Sequence, residues 1–144
     1  MPPWEEWADR TPDQNRALRE ALLERGEYDG YLLYADGAPV GWCQVGPRDR
    51  LAKLVRWAIT CFLIAPGFRG QGLARALLEA VLADLRRRGD VRRVEAFPRR
   101  GAGGDVLALW NGPEALFRAT GFSVVKDDPV RPVLALALAA GESP

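Results

Sequence analysis

The sequence predicts an α/β fold of the mixed α+β kind, in which one sheet is flanked by helices. A nearly apolar run at residues 57–64 is typical of a central strand that is covered on both faces. An amphipathic helix at residues 72–88 follows it, and a further strand at residues 91–97 comes next. We therefore expect these two strands to be parallel and joined by a right-handed crossover.

The elements before this unit are a helix and a hairpin. Thr11 and Gln14 form a capping box, and Gly26 is a natural end for the helix. Two β-rich runs, at residues 31–35 and 40–45, flank an Asp-Gly turn, which predicts an antiparallel hairpin.

The remaining chain alternates loops with short elements. Residues 48–56 are charged and predict at most one helical turn, and residues 101–105 form a glycine-rich loop. A short helix is expected at residues 113–120, followed by a strand pair at residues 122–126 and 133–138. In the long helix, we expect an ion pair between Asp84 and Arg88.

Composition predicts one cytoplasmic domain that spans residues 1–144. Hydrophobic residues make up 48% and charged residues 27%, as in globular proteins. The net charge of +1 removes the usual electrostatic argument for a nucleic-acid or membrane-surface partner. Clusters at residues 86–88, 92–93 and 99–100 are arginine-rich, and we interpret them as solvated faces in preference to an RNA or DNA site. No apolar run is long enough to cross a bilayer, and the first residues do not resemble a signal peptide.

Histidine and cysteine usage restricts the chemistry. The chain has no histidine, which excludes an imidazole base and most zinc sites. Cys43 and Cys61 are isolated from each other in sequence, and we expect two reduced, buried thiols in preference to a disulfide. No metal site is predicted.

The loop between the central strand and the long helix is rich in glycine. Gly70 and Gly72 let backbone N–H groups turn inward, the helix start adds unpaired donors, and Arg69 adds a cation. This chemistry suits a pyrophosphate, although a plain strand-to-helix turn is the alternative. A Walker loop is excluded because Gly-Lys-Ser/Thr is absent. The match to a dinucleotide-binding fingerprint is weak, because Arg75 stands at the position of its third glycine. Glu95 nevertheless lies where an acid that binds the ribose would fall.

These residues also carry a resemblance. The run Phe62-Leu63-Ile64-Ala65-Pro66-Gly67-Phe68-Arg69-Gly70-Gln71-Gly72-Leu73-Ala74 resembles the central motif of the GNAT (GCN5-related N-acetyltransferase) superfamily. The run Phe117-Arg118-Ala119-Thr120-Gly121-Phe122 resembles its later Tyr-x-x-x-Gly-Phe motif. The wider pattern is similar to a poorly characterised bacterial branch, and the resemblance spans roughly residues 11–138.

The resemblance implies a mostly antiparallel sheet and acetyl-CoA as cosubstrate. It assigns the backbone of Phe62, Leu63 and Ile64 to pantetheine and to the thioester carbonyl. The pyrophosphate would be held by the loop residues Arg69, Gly70, Gln71, Gly72, Leu73 and Ala74. Asn111 would bond pantetheine, with a turn role before the helix as its equal alternative.

Two departures from the family pattern stand out. Only Met1 to Arg10 is available for the strand that usually precedes the first helix, so that strand should be missing or very short. Phe117 replaces the usual tyrosine of the cofactor site, and a phenyl ring cannot protonate a leaving thiolate.

Glu95 is the predicted catalytic base, acting through water from the face of the sheet opposite the long helix. An ion pair with Arg93 is its alternative role. Ala58 stands where some family members keep a glutamate. The acceptor site would be walled by Tyr31, Tyr34, Trp42, Gln44 and Trp110, although aromatic residues on a hairpin are more often core.

The sequence thus predicts an N-acetyltransferase that moves an acetyl group to a primary amine of a small molecule or peptide, and a homodimer is compatible with it. Two alternatives remain open. One is a non-catalytic acyl-CoA-binding module of the same fold, and the other is a nucleotide-binding oxidoreductase domain.

Overall fold

The structure is a computed structural model that describes residues 9–26, 29–47, 56–100 and 111–138. Within these residues, three helices, six strands and a 3₁₀ turn follow in chain order: α1 (Pro12–Glu24), β1 (Asp29–Ala35), β2 (Ala38–Pro47), β3 (Arg56–Ile64), the 3₁₀ turn (Pro66–Phe68), α2 (Leu73–Arg88), β4 (Arg93–Ala96), α3 (Glu114–Ala119), β5 (Ser123–Lys126) and β6 (Val133–Ala137). The helical turn predicted within residues 48–56 and the loop at 101–105 lie outside the described residues, as does most of the segment considered for a first strand.

The six strands form one sheet in the order β1-β2-β3-β4-β6-β5. Among the described strands, only β3 and β4 pair in parallel, and the other four pairings are antiparallel. The parallel pair is the one connected through α2, as expected for a strand–helix–strand crossover. The predicted mixed, mostly antiparallel sheet flanked by helices is confirmed, as are both hairpins.

The α2 helix covers one face of this sheet. Its buried stripe consists of Leu77, Leu78, Val81, Leu82 and Leu85. The stripe belongs to one core cluster with Cys43, Val45, Ile59 and Phe62 of β2 and β3. Burial of each such side chain contributes about 1.5–3 kcal/mol, so this packing holds β3 and α2 in fixed relative positions.

Polar contacts anchor the end of α2 on β1. The Tyr31 hydroxyl donates to Asp84 at 2.6 Å, and Arg88 donates to Asp29 at 2.7 Å. The Arg88 guanidinium also lies 4.5 Å from the ring centroid of Trp57. The expected pairing of Asp84 with Arg88 within the helix is wrong, because both side chains find partners on other elements.

The start of α1 has the predicted capping box. The Gln14 N–H donates to the Thr11 hydroxyl at 3.3 Å, and the Thr11 N–H donates to the Gln14 side chain at 2.9 Å. The helix buries Leu22. Burial raises the pKa of the Cys61 thiol, and a hydrogen bond with the Trp42 side chain and the charge of Arg19 partly oppose this shift.

The pairing of β3 with β4 stops before β3 does. It runs from Arg56 with Arg93 to Ile59 with Ala96, where β4 ends. β3 continues to Ile64, and an irregularity in its register with β2 falls between Ile59 and Cys61. Bulges bend strands. Beyond Ile59, no other described strand pairs with the edge of β3 that faces away from β2, and we call this the open edge.

Candidate functional site

A cleft lies at the open end of β3. It has a volume of about 190 Å³ and is lined by Phe62, Leu63, Ile64, Phe68, Arg69, Gly70, Gly72, Leu73, Ala74, Gly112 and Pro113. The walls are therefore the end of β3, the glycine turn with the start of α2, and the residues before α3. Every residue predicted to bind the cosubstrate lines this cleft except Gln71, Asn111 and Phe117.

The backbone direction of β3 follows from its pairing with β2. The Ala65 N–H donates to the Val40 carbonyl at 2.8 Å. Backbone groups of an antiparallel strand alternate in direction, so Leu63 also points its N–H and C=O at β2. Phe62 and Ile64 point theirs at the open edge, and Leu63 also lines the cleft.

Two contacts organise that open edge. Phe62 forms a parallel β-bridge with Asn111, which brings the residues before α3 alongside β3. The Arg69 side chain folds back, and its Nε donates to the Ile64 carbonyl at 2.9 Å. Arg69 is therefore held at the rim of the cleft as a fixed cation.

The turn after β3 has backbone angles that require glycine. Gly70 and Gly72 have φ of 76° and 77°, a region in which a side chain is strained. A Cβ at either residue would meet no atom of the described residues within 4 Å. The space beside these glycines is therefore open to a ligand.

The start of α2 presents free donors to the same space. Gly72 is its N-cap and provides no side-chain cap, and the Ala76 N–H bonds to the Gly72 carbonyl. The N–H groups of Leu73, Ala74 and Arg75 precede this first helical bond and have no partner within the helix. Such donors, with the positive end of the helix dipole, favour a phosphate group.

The opposite wall of the cleft is Gly112 with Pro113. Gly112 has a φ of +75°, and a Cβ there would lie 3.1 Å from the edge of the Phe117 ring. Sequence reasoning missed this wall, although a Gly-Pro dipeptide before a helix is a turn signal. It also missed Phe68, which lies in the loop and lines the cleft.

Phe117 lies behind the cleft and does not line it. The residue is 0% exposed, and its ring packs edge-on against Phe62 and Phe122 at centroid distances of 6.1 and 5.3 Å. The Phe117 ring therefore supports two parts of the cleft, Phe62 at the end of β3 and Gly112 in the opposite wall.

Comparison with known proteins identifies the family. The model described as the acetyltransferase (GNAT) family matches residues 1–102. The chain belongs to the GNAT acetyltransferase family. This membership agrees with the resemblance in the central motif and removes the basis for the oxidoreductase alternative. A comparison with the curated proteins gives no match.

Solved structures share the GNAT fold with this chain. RimL, a ribosomal-protein α-N-acetyltransferase in complex with coenzyme A, is 19% identical with a TM-score of 0.70, over 96% of this chain and 79% of that one. YncA from Salmonella typhimurium, with acetyl-CoA, is 18% identical with a TM-score of 0.68, over 94% and 78%. An acetyltransferase from Thermus thermophilus is 24% identical with a TM-score of 0.65, over 90% and 76%.

Glu95 occupies the face of the GNAT sheet that α2 does not cover. It pairs in register with Ala58, and it is 1% exposed. The Arg93 Nε donates to Glu95 Oε1 at 3.1 Å, and the Arg93 Nη2 forms an ion pair with the same oxygen at 3.0 Å. The ion pair foreseen as the alternative role is thus present, and Glu95 is not among the residues that line the cleft.

The proposed acceptor walls separate into two groups. Trp42 and Gln44 share the Glu95 face, as the register of β2 with β3 requires. Tyr31 lies on the other face, where it bonds to α2, and Tyr34 is 58% exposed. Trp110 falls outside the described residues.

The cysteines and acidic groups add no further chemistry to this site. Cys43 and Cys61 are both free, and burial raises the pKa of each thiol. Within the part of the chain that the structure describes, no group of three or more acidic or cysteine side chains could hold a metal ion. No helix among the same residues is long and apolar enough to cross a membrane.

Proposed function

We propose that this chain transfers an acetyl group from acetyl-CoA to a primary amine of a small molecule or peptide. One observation supports this most strongly: the open edge of β3 runs directly into a glycine turn and a helix start in a single cleft. A strand edge and a helix start provide the main-chain groups that an extended amide chain ending in a pyrophosphate would need.

The residues at the turn fit a pyrophosphate. The open space beside Gly70 and Gly72 and the uncapped donors of Leu73 and Ala74 lie together. Arg69, which is fixed by its bond to Ile64, adds positive charge. Gln71 contributes only as part of the turn, since it does not line the cleft.

The open edge of β3 would orient the rest of the cosubstrate. Acetyl-CoA supplies the acetyl group as an activated thioester when it is bound. The Ile64 N–H points where pantetheine would run, because the Ile64 carbonyl accepts from Arg69 and Phe62 is bridged to Asn111. An N–H aimed at the acyl oxygen stabilises the negative charge that develops there, and it is preorganised because the strand is packed in the core.

Glu95 is the proposed general base. An amine must lose a proton to become a nucleophile, and the chain has no histidine for this task. The Glu95 carboxylate is buried on the face that also carries Trp42 and Gln44. We propose that it accepts the proton through water, while Arg93 holds its orientation.

A non-catalytic acyl-CoA-binding module is the second candidate function. The observation that favours it is Phe117, whose buried ring provides no proton donor for a leaving thiolate. In the catalytic case, solvent water would protonate the thiolate. The two functions predict the same binding and differ in turnover.

We also propose an acceptor class, a cellular location and an oligomeric state for this chain. RimL is named for acetylation of a ribosomal protein, so a peptide amine is one class to test. We further propose a single domain over residues 1–144, a cytoplasmic location and a homodimer, without a nucleic-acid, membrane or metal partner.

Thiol release with acetyl-CoA over a panel of small amines and peptides tests the proposal. We expect thiol release that depends on an acceptor, together with calorimetric binding of CoA. CoA binding with no acceptor-dependent thiol would favour the non-catalytic module. Absence of CoA binding would refute both functions.

A further inference from the structure

Arg100, which follows β4, connects three segments of the chain. Its Nε and Nη2 donate to the two carboxylate oxygens of Glu114 at 2.7 and 2.9 Å. Its Nη1 donates to Asp127 at 2.6 Å and to the Asp128 carbonyl at 3.1 Å. Its backbone N–H donates to the Val130 carbonyl at 2.9 Å. One guanidinium therefore joins the exit of β4, the start of α3 and the turn between β5 and β6.

The bond to Glu114 is the strongest part of this arrangement. The side chains of Arg100 and Glu114 are only 27% and 20% exposed, and paired parallel hydrogen bonds restrict orientation as well as distance. Arg118 also donates to Glu114, at 2.9 and 3.0 Å, but it lies on the same helix and is 55% exposed. Arg118 therefore cannot tie α3 to another segment through this contact.

Glu114 stands directly after the second wall of the cleft. Gly112 and Pro113 line the cleft, and Glu114 is the first residue of α3. On the other side of Gly112, Asn111 bridges to Phe62. The wall is thus fixed at one end by that bridge and at the other end by the carboxylate that Arg100 holds.

We propose that the Arg100–Glu114 ion pair positions the Gly112–Pro113 wall for CoA binding. The inference rests on the proposed function, since it assigns CoA to this cleft. Neither side chain lines the cleft, so both act as positioning residues through the backbone between them. Their loss should lower the fraction of molecules whose wall is ready to bind.

The test compares E114Q, R100Q and the R100Q/E114Q double variant with wild type, and R118Q is the matched control. If the wall keeps its binding geometry about a fifth of the time, the calorimetric Kd for CoA rises about 5-fold. R118Q should keep its Kd within about 2-fold, since it leaves the bond between segments intact. The double variant should bind no more weakly than either single variant, because the pair acts as a unit.

Two further readouts separate positioning from loss of folding. Amide hydrogen exchange over residues 111–117, measured without CoA, should be faster in E114Q and unchanged in R118Q. The rate at saturating acetyl-CoA should change less than the KM. R100K keeps a positive charge beside Glu114 but loses the paired guanidinium hydrogen bonds, so its Kd for CoA should lie between those of wild type and R100Q. If R100Q does not fold, R100K takes its place in the comparison.

The Kd values of wild type and E114Q for CoA separate the positioning role from the proposed function. Wild-type protein that does not bind CoA would refute the proposed function and this role together. Wild type and E114Q that bind CoA with equal Kd would refute the positioning role alone. Equal exchange over residues 111–117 in E114Q and R118Q would also refute that role, whatever ligand the cleft takes.

Discussion

Replacement of Gly72 by alanine separates the structural role of the glycine turn from its binding role. Gly72 has a φ of +77° at the start of α2, and Gly89 has a φ of +73° at the end of the same helix. At either position, a Cβ would meet no atom within 4 Å in the part of the chain that the structure describes. G72A and G89A therefore impose nearly the same backbone strain and no internal clash, but only Gly72 lines the cleft.

The expected loss of stability is similar for the two variants. An L-residue in the left-handed region costs about 1–2 kcal/mol. For a chain of 144 residues, this lowers Tm by about 3–8 °C. Differential scanning calorimetry should place both variants in this range, since neither substitution displaces a packed atom.

The expected loss of binding is different. At Gly72 the new methyl group occupies the open space and blocks approach to the N–H groups at the start of α2. Loss of one hydrogen bond to a charged group, at about 1.5–3 kcal/mol, weakens CoA binding about 10- to 150-fold. G89A should keep the wild-type Kd by isothermal titration calorimetry. Equal Kd values for G72A and G89A would contradict a pyrophosphate-binding site at this turn.

Three other substitutions test separate parts of the structure. E95Q should lower kcat and flatten the pH–rate profile with an unchanged Kd for CoA, and an unaltered rate would reject Glu95 as the base. F117A should destabilise the fold by about 3–5 kcal/mol in urea unfolding, because the ring is fully buried; a loss below about 1 kcal/mol would contradict its packing role. Hydrogen bonds from Arg100 lower the pKa of Glu114 from 4.5 to about 2. This carboxylate therefore stabilises the fold above pH 4.5, and its contribution is lost as the pH falls from 4.5 toward 2. Unfolding at pH 7 and pH 3 should show a smaller acid-dependent loss in E114Q than in wild type.

The fold was predictable from local signals. Side-chain periodicity marked α2, the capping box marked the start of α1, and the Asp-Gly turn marked the first hairpin. These signals act within a few residues, so they can be read without the tertiary structure. The parallel pairing of β3 and β4 also followed, because a helix that connects two neighbouring strands leaves little other choice.

The candidate site was predictable where main-chain groups form it. The glycine turn and the start of α2 lie in one continuous segment, and their donors point outward for reasons of backbone geometry alone. The opposite wall was missed because Gly112 and Pro113 reach the cleft only through the bridge between Asn111 and Phe62.

The sequence by itself determined the strand, the glycine turn and the helix that form one side of the cleft. The tertiary structure alone decided what the side chains do: Phe117 is enclosed in the core, Glu95 is paired with Arg93, and Arg100 joins the exit of β4 to α3. The physical reason is one of range. Backbone angles and helix-end donors depend on neighbours in the chain, whereas burial and ion pairing depend on segments that only folding brings together.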